Sequence, residues 1–173
     1  MQQMFNKFKF STAYFYRNIL PKSIAFALIL FTSCNQATKM QTLTAHAFRL
    51  RPGQFLKEEI QKYVVANKIQ AGWISTCVGS LTQYNLRLAN QQSTEKRTGY
   101  FEIISLAGTV SINGSHLHLA ISDSAGKTIG GHLVDSNIIY TTAEIVILTS
   151  NAFQFTREKD GTTPWDELQV KET

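Results

Sequence analysis

Three of the four histidines in this chain of 173 residues lie within 17 positions of one another, at a spacing suited to metal binding. His116 and His118 are separated by one residue in a β-rich segment, so their side chains share one face of a strand. A turn over 123–126 returns the chain beside that strand, where His132 can face the pair. Three imidazoles bind Zn²⁺ or a similar ion and leave a fourth position open for water or a ligand. Spacing alone leaves open that these are ordinary polar residues on a half-exposed sheet.

The elements that must position these histidines are predicted from hydrophobic periodicity. Leu56, Ile60 and Val64 recur at the spacing of one helix face, which predicts a helix of about three turns. Alternating or β-rich segments predict strands over 46–51, 72–80, 81–89, 100–112, 115–122, 127–134, 143–150 and 153–157. We assign the fold class α+β, with a mainly antiparallel sheet, because the strands do not alternate with helices as a parallel sheet requires.

Three polar segments are predicted to connect the strands. Residues 90–98 carry mixed charges and read as a loop. Asn113-Gly114 is typical of a two-residue hairpin turn. Asp123 begins an Asp-Ser-Ala-Gly sequence, in which the carboxylate is expected to cap the turn.

The composition indicates a globular domain and weakens a nucleic-acid interpretation. Hydrophobic residues make up 43% of the chain, which is enough for a core. The formal charge of +5 and the pI near 9.3 favour an acidic partner at first sight. However, four of the 17 basic residues lie in the first 33 positions, which leaves 13 basic against 12 acidic residues in the rest. The excess charge therefore belongs mainly to the N-terminal segment, and DNA is the less favoured partner.

That N-terminal segment has the pattern of an export signal. Residues 1–22 are basic and free of acidic residues, and the apolar run over 23–31 is too short to span a bilayer. A basic region followed by a short apolar run is typical of a secretory signal. The sequence Phe-Thr-Ser-Cys at 31–34 resembles a bacterial lipoprotein cleavage box, although Leu is more usual where Phe stands. We therefore predict a lipoprotein-like signal peptide over 1–33.

Cleavage at this box would make Cys34 the lipidated N-terminus. Residues 34–44 would then tether a domain over 45–170 to a membrane of the bacterial envelope. A plain signal peptide and an uncleaved amphipathic leader are alternatives. Translation from Met40 is another, and it would place the domain in the cytoplasm. Cys77 lies in a strand-like run, is interpreted as a small buried hydrophobic residue and supports no disulfide framework.

A set of ordered motifs resembles the PPC domain, which is shared by plants and prokaryotes. The resemblance extends from about residue 45 to 170, and it is carried by Arg-Pro-Gly at 51–53, Gly-Ser-Leu at 79–81, Gly-Ser-His-Leu-His at 114–118, Gly-Gly-His-Leu at 130–133, Thr-Ala-Glu-Ile at 142–145 and Trp-Asp-Glu-Leu at 165–168. It implies a stand-alone bacterial PPC-like protein with an antiparallel sheet flanked by helices, assembled as a homotrimer. In bacterial members the histidines matching His116, His118 and His132 look like a metal site, with zinc as the favoured cofactor.

Other residues have two interpretations each. Glu144 is a candidate catalytic residue that orients a metal ligand or accepts a proton. Equally, it is a buried carboxylate satisfied by backbone amides or by Arg87 across the trimer. Arg157 and Asp160 are expected to form a local ion pair. His46 is interpreted as a structural or surface residue.

Three functions follow from these observations. The first is a metal-binding homotrimer that holds a small ligand at the open position. The second is a DNA-binding or transcription-associated PPC protein, although the Arg-Gly-Arg minor-groove segment of plant relatives is absent from this sequence. The third is a structural trimer without catalysis. No reaction can be assigned from the sequence.

Overall fold

The computed structural model describes residues 40–173, so the predicted signal peptide and Cys34 lie outside the described residues. Strand β1 (Leu43–Leu50) comes first and is followed by helix α1 (Leu56–Ala66). The remaining elements are all strands: β2 (Gly72–Arg87), β3 (Glu95–Ser111), β4 (Gly114–Ser122), β5 (Thr128–Leu133), β6 (Ile138–Ser150), β7 (Phe153–Glu158) and β8 (Glu167–Glu172). Within residues 40–173, no helix has the length and apolar character needed to cross a membrane.

Six strands form one antiparallel sheet in the order β1-β6-β2-β3-β4-β5, and β7 pairs with β8 separately. Strand β5 also pairs with the end of β2, through Leu86 opposite Leu133 and Arg87 opposite His132. Strands β2, β3, β4 and β5 therefore close into a ring. The predicted antiparallel sheet is confirmed. The predicted flanking helices are not confirmed, because α1 is the one helix of residues 40–173. The closed ring of strands buries much of its own inner face, so a second helix is not needed to cover it.

Helix α1 covers the sheet with the face that its periodicity predicts. Leu56, Ile60 and Val64 are fully buried, and each such side chain contributes about 1.5–3 kcal/mol relative to leaving it exposed. Tyr63 stacks on Phe48 of β1, with ring centroids 4.0 Å apart. The sequence prediction of a helix of three turns is therefore confirmed, and it packs against the core through one stripe.

Two connections differ from the sequence predictions. The expected loop over 90–98 is too long, because β3 begins at Glu95, opposite Leu86, and the Glu95 carboxylate accepts a hydrogen bond from Tyr84 at 3.0 Å. The hairpin between β3 and β4 has Ser111 opposite Gly114, so Ile112 and Asn113 form the turn, one position earlier than predicted.

The close approach of β3 to β4 depends on Gly108. This glycine has a φ of +139°, and a Cβ at this position would lie 1.9 Å from the carbonyl oxygen of His116. No side chain fits there without separating the two strands. Gly161 also has a positive φ, of +83°, but a Cβ there would meet no atom within 4 Å.

We expect Gly108→Ala to lower the free energy of unfolding by roughly 2–4 kcal/mol, because the methyl group must displace backbone. Gly161→Ala is the matched control, and it should cost about 1–2 kcal/mol, since only its backbone conformation is strained. Urea denaturation of both variants checks this. Equal losses of stability would show that β3 and β4 are not in the close contact described.

Candidate metal centre

The outer face of β4 presents two of the three histidines because the strand alternates. Leu117 and Leu119 are each 1% exposed and point into the core, whereas His116 and His118 are exposed on the other face. A shift by one residue would expose the two leucines, so their burial fixes the direction of the histidine side chains.

His132 is brought to the same face by the pairing of β5 with β4. Its backbone lies directly opposite His118, and Gly131 lies opposite Leu119. Gly131 also allows β5 to approach β2, since a Cβ there would lie 2.8 Å from the carbonyl oxygen of Arg87. The turn between β4 and β5 is held by Asp123, whose carboxylate accepts hydrogen bonds from the backbone amides of Ala125 and Lys127, both at 2.9 Å. The turn prediction for Asp123 is therefore confirmed.

The three imidazole rings meet as the spacing predicted. Their centroids lie 5.0 to 5.7 Å apart, and one ligating atom from each residue can be chosen so that all lie within 4.8 Å of one another. The Nε2 atoms of His116 and His118 are 3.2 Å apart. Two nitrogens of a tetrahedral zinc site are separated by roughly 3.3 Å when each Zn–N bond is about 2.0–2.1 Å. The pair therefore has the separation that the ion requires.

One ring nitrogen of His132 lacks a hydrogen-bond partner in the part of the chain that the structure describes. This atom, Nδ1, is buried. Leaving such an atom unsatisfied costs about 1–3 kcal/mol, which a partner at this position would recover. The donor set of three imidazoles suits zinc, copper, nickel or cobalt better than magnesium or calcium. These residues therefore fit a divalent transition-metal ion.

The surroundings of the cluster favour uncharged histidines. Burial lowers the pKa of His132 to about 4, and the nearby positive charges of His116 and Arg87 act in the same direction. Burial also lowers the pKa of His116, assisted by Arg157. At neutral pH these rings are therefore unprotonated, which is the form that binds a metal.

A cleft of about 310 Å³ opens beside His116 and His118. Arg157 of β7 and Glu167 of β8 line it, together with the apolar side chains of Ala107 and Leu168. Sequence reasoning did not assign Arg157 or Glu167 to the site. No spacing rule indicates that the β7–β8 hairpin lies against β3 and β4, so the signal exists only in three dimensions.

The expected ion pair between Arg157 and Asp160 is wrong. Arg157 donates a hydrogen bond from Nη2 to the hydroxyl of Thr109 at 2.8 Å, and it lines the same cleft as His116 and His118. Asp160 instead accepts hydrogen bonds from the backbone amide and the hydroxyl of Thr162. The physical reason is that Arg157 lies within strand β7, whereas Asp160 lies in the exposed loop that follows it.

Glu144 is not brought to the cluster within one chain. It is exposed on β6, opposite Arg49 of β1 and Val78 of β2. In the sheet order, β2 and β3 lie between β6 and β4. The expectation of a buried carboxylate is wrong, because Glu144 is exposed. Within residues 40–173, the group that could share a metal ion consists of His116, His118 and His132 and does not include Glu144.

The remaining candidates have structural surroundings. His46 contacts the hydroxyl of Thr149 through Nε2 at 3.3 Å and lies edge-on to Tyr63, far along the sheet from the other histidines. Cys77 is buried as predicted, and burial raises the pKa of its thiol to about 12. Such a thiol is unreactive at neutral pH. Neither His46 nor Cys77 lines the cleft beside His116 and His118.

Fold and site together define a small α+β domain, built on an antiparallel sheet, that carries a three-histidine cluster on its outer face. The family model of the Plants and Prokaryotes Conserved (PCC) domain matches residues 37–151. The chain belongs to this family, which confirms the resemblance to the PPC domain found in the sequence.

Solved structures with the same fold include proteins from bacteria and archaea. A hypothetical protein from Salmonella cholerae-suis is 40% identical with a TM-score of 0.74, covering 78% of this chain and 97% of its own. A PPC protein from Pyrococcus horikoshii is 26% identical with a TM-score of 0.60, covering 76% and 98%. A metal-containing protein from Archaeoglobus fulgidus is 22% identical with a TM-score of 0.65, covering 73% and 93%, and this likeness concerns the fold alone.

Longer proteins also contain a matching segment. A Synechococcus protein named bifunctional protein GlmU is 42% identical to this chain over 130 residues, which are 75% of this chain. The chain spans 21% of the length of that relative. The similarity therefore concerns one segment of a much longer protein.

Proposed function

We propose that this domain binds one divalent metal ion through His116, His118 and His132, with zinc as the favoured ion and one coordination position left for a small ligand. The observation that supports this most directly is the convergence of three ring nitrogens within 4.8 Å of one another. When bound, such an ion acts as a Lewis acid on the ligand at its open position. The chain itself holds the three imidazoles in place, and burial lowers the pKa of His132 and of His116, which favours their unprotonated forms. No reaction is assigned.

We favour metal binding over DNA binding because the described part of the chain has no excess of positive charge. Residues 40–173 contain 12 basic and 12 acidic side chains. Nonspecific DNA affinity comes from an excess of Lys and Arg that neutralises phosphates, and this part of the chain has none. A purely structural trimer gives no reason for three ring nitrogens to converge on one face of the sheet, whereas a metal site does.

We expect the wild-type protein to bind about one zinc ion per chain, and His118→Ala to weaken that affinity by more than about 100-fold, because a ligand is removed. His46→Ala is the matched control, since His46 lies outside the cluster. Elemental analysis of dialysed protein, with a competing chromophoric chelator for the affinity, measures both. Absence of stoichiometric metal in the wild type, or equal affinity in His118→Ala, would contradict the proposal.

We further propose that the domain assembles as a homotrimer, which is the assembly implied by the family resemblance. Val78, Ile104 and Tyr140 follow the buried residues of β2, β3 and β6, so they point to the outer face of three adjacent strands. They are 54%, 57% and 42% exposed. Tyr100, which is 67% exposed, contacts Tyr140 with ring centroids 4.8 Å apart. An exposed apolar patch of this kind supports self-association.

Ile104→Glu should convert the trimer to a monomer, since it would place a charge in the centre of the contact. Val65→Glu is the control, because Val65 is 53% exposed on α1 and does not lie on those strands. Light scattering coupled to size-exclusion chromatography gives the mass of each. A wild-type monomer, or an Ile104→Glu variant that keeps three chains, would be evidence against this interface.

The N-terminal segment supports a proposal about location. We propose that Cys34 is lipidated and that residues 34–44 hold the domain at a membrane surface outside the cytoplasm. The basic segment, the short apolar run and the Phe-Thr-Ser-Cys sequence support it.

Expression of the full chain in a bacterial host should therefore give a membrane-bound protein that incorporates a radiolabelled fatty acid, whereas Cys34→Ser should not incorporate it. Cys77→Ser is the control and should remain labelled, because Cys77 is buried. Equal labelling of wild type and Cys34→Ser, or a cytoplasmic unlabelled wild type, would overturn the proposal.

A further inference from the structure

Arg157 is a half-buried cation that no acidic side chain neutralises by direct contact. Its backbone pairs with Leu168 of β8, and burial lowers the pKa of its guanidinium, an effect that the charge of Glu167 opposes. No carboxylate lies within 4 Å of it in residues 40–173, since the ion pairs of this region involve other residues. One nitrogen is used by the hydroxyl of Thr109. An Arg guanidinium has five N–H donors, so several remain for a ligand.

The free donors belong to the same cleft as the histidines. Arg157, His116 and His118 all line the cleft of about 310 Å³, and Thr109, which anchors Arg157, lies directly opposite His116 in the sheet. Arg87 is a second guanidinium near the cluster, opposite His132. Arg87 does not line the cleft, and it lies 4.8 Å from the ring centroid of Trp165, so an aromatic face already contacts it.

The rest of the lining indicates the size and charge of the ligand. A volume near 310 Å³ is at the lower end for small-molecule sites, so the part of a ligand that the cleft itself surrounds is small. Ala107 and Leu168 offer an apolar wall for a short alkyl group. Glu167 lines the same cleft and its negative charge acts on Arg157, so the metal ion is needed to favour one anionic group, and a second negative charge is disfavoured. The cleft is therefore suited to one anionic head with a short apolar tail.

We propose that the cleft binds a small organic monocarboxylate, with its carboxylate held between Arg157 and the three-histidine metal site and its alkyl part against Leu168. This inference rests on the proposed metal site, and it adds the ligand class and the residue that selects it. A guanidinium matches a carboxylate through two parallel hydrogen bonds, which an ammonium group cannot reproduce. Thr109 acts as a positioning residue by fixing the direction of that guanidinium.

The test uses butyrate as the probe and the zinc-loaded protein, with binding followed by isothermal titration calorimetry and metal content by elemental analysis. We expect Arg157→Gln to weaken butyrate binding by about 10- to 100-fold and to leave the metal content unchanged. Arg157→Lys should recover only part of the affinity. Thr109→Val should weaken binding less than Arg157→Gln, because the guanidinium remains.

Arg87→Gln is the matched control, because it removes the same charge from the neighbourhood of the histidines without changing the cleft lining. It should bind butyrate nearly as well as the wild type. Neutral butyramide and inorganic phosphate should both bind at least about tenfold more weakly than butyrate, since one lacks the charge and the other adds a second. Equal losses of butyrate affinity in Arg87→Gln and Arg157→Gln would overturn the proposal. Long-range electrostatic attraction, rather than a contact with Arg157, would then explain the binding.

The two proposals fail in different ways. Absence of zinc in the elemental analysis would remove the metal site. With zinc bound at equal stoichiometry in both proteins, the ratio of butyrate affinities between wild type and Arg157→Gln reports on the ligand assignment. No butyrate binding by the wild type, or equal binding by Arg157→Gln, would overturn the ligand assignment even if zinc binds with full stoichiometry.

Discussion

The register between β4 and β5 is the constraint on which the site depends. His118 and His132 face each other only because these two strands pair in one alignment, and that alignment is held by the leucines of β4 on the opposite face. A slip by one residue would bury the imidazoles and expose the leucines. Burial of the β4 leucines in the core therefore stabilises the register that keeps the three imidazoles together. The imidazoles themselves contribute little to the stability of the core.

The electrostatics of the cluster follow from this placement. Burial lowers the pKa of His132 and of His116, and the nearby guanidinium groups of Arg87 and Arg157 act in the same direction, so these two rings favour the neutral form. Binding of the proposed divalent ion would add positive charge beside a cleft that is lined by one guanidinium, of Arg157, and one carboxylate, of Glu167. The same arrangement that disfavours protonation of His116 and His132 would favour an anion once the proposed metal ion is bound.

Sequence reasoning predicted the local features of this protein well. The alternation of β4, the apolar stripe of α1, the turn at Asp123 and the meeting of the histidines all depend on residues close in sequence, and the structure has each of them. Contacts between distant segments were not accessible in this way. The ring closure of β2 with β5 and the packing of Arg157 on Thr109 arise from tertiary geometry, and the false Arg157–Asp160 pair shows the limit of reasoning from proximity in sequence.

The uneven sequence separation of the strand pairs has a consequence for folding. Strands β4 and β5 form a hairpin joined by a short turn, whereas β1 pairs with β6, with Leu43 opposite Ser150. Nonlocal pairing slows folding because a long loop must close before its contacts form, while hairpins form in microseconds. All three histidines belong to the local hairpin. We therefore expect the three histidines to come together before the sheet is complete. A metal ion bound at that stage would cross-link β4 and β5 before β1 and β6 have paired.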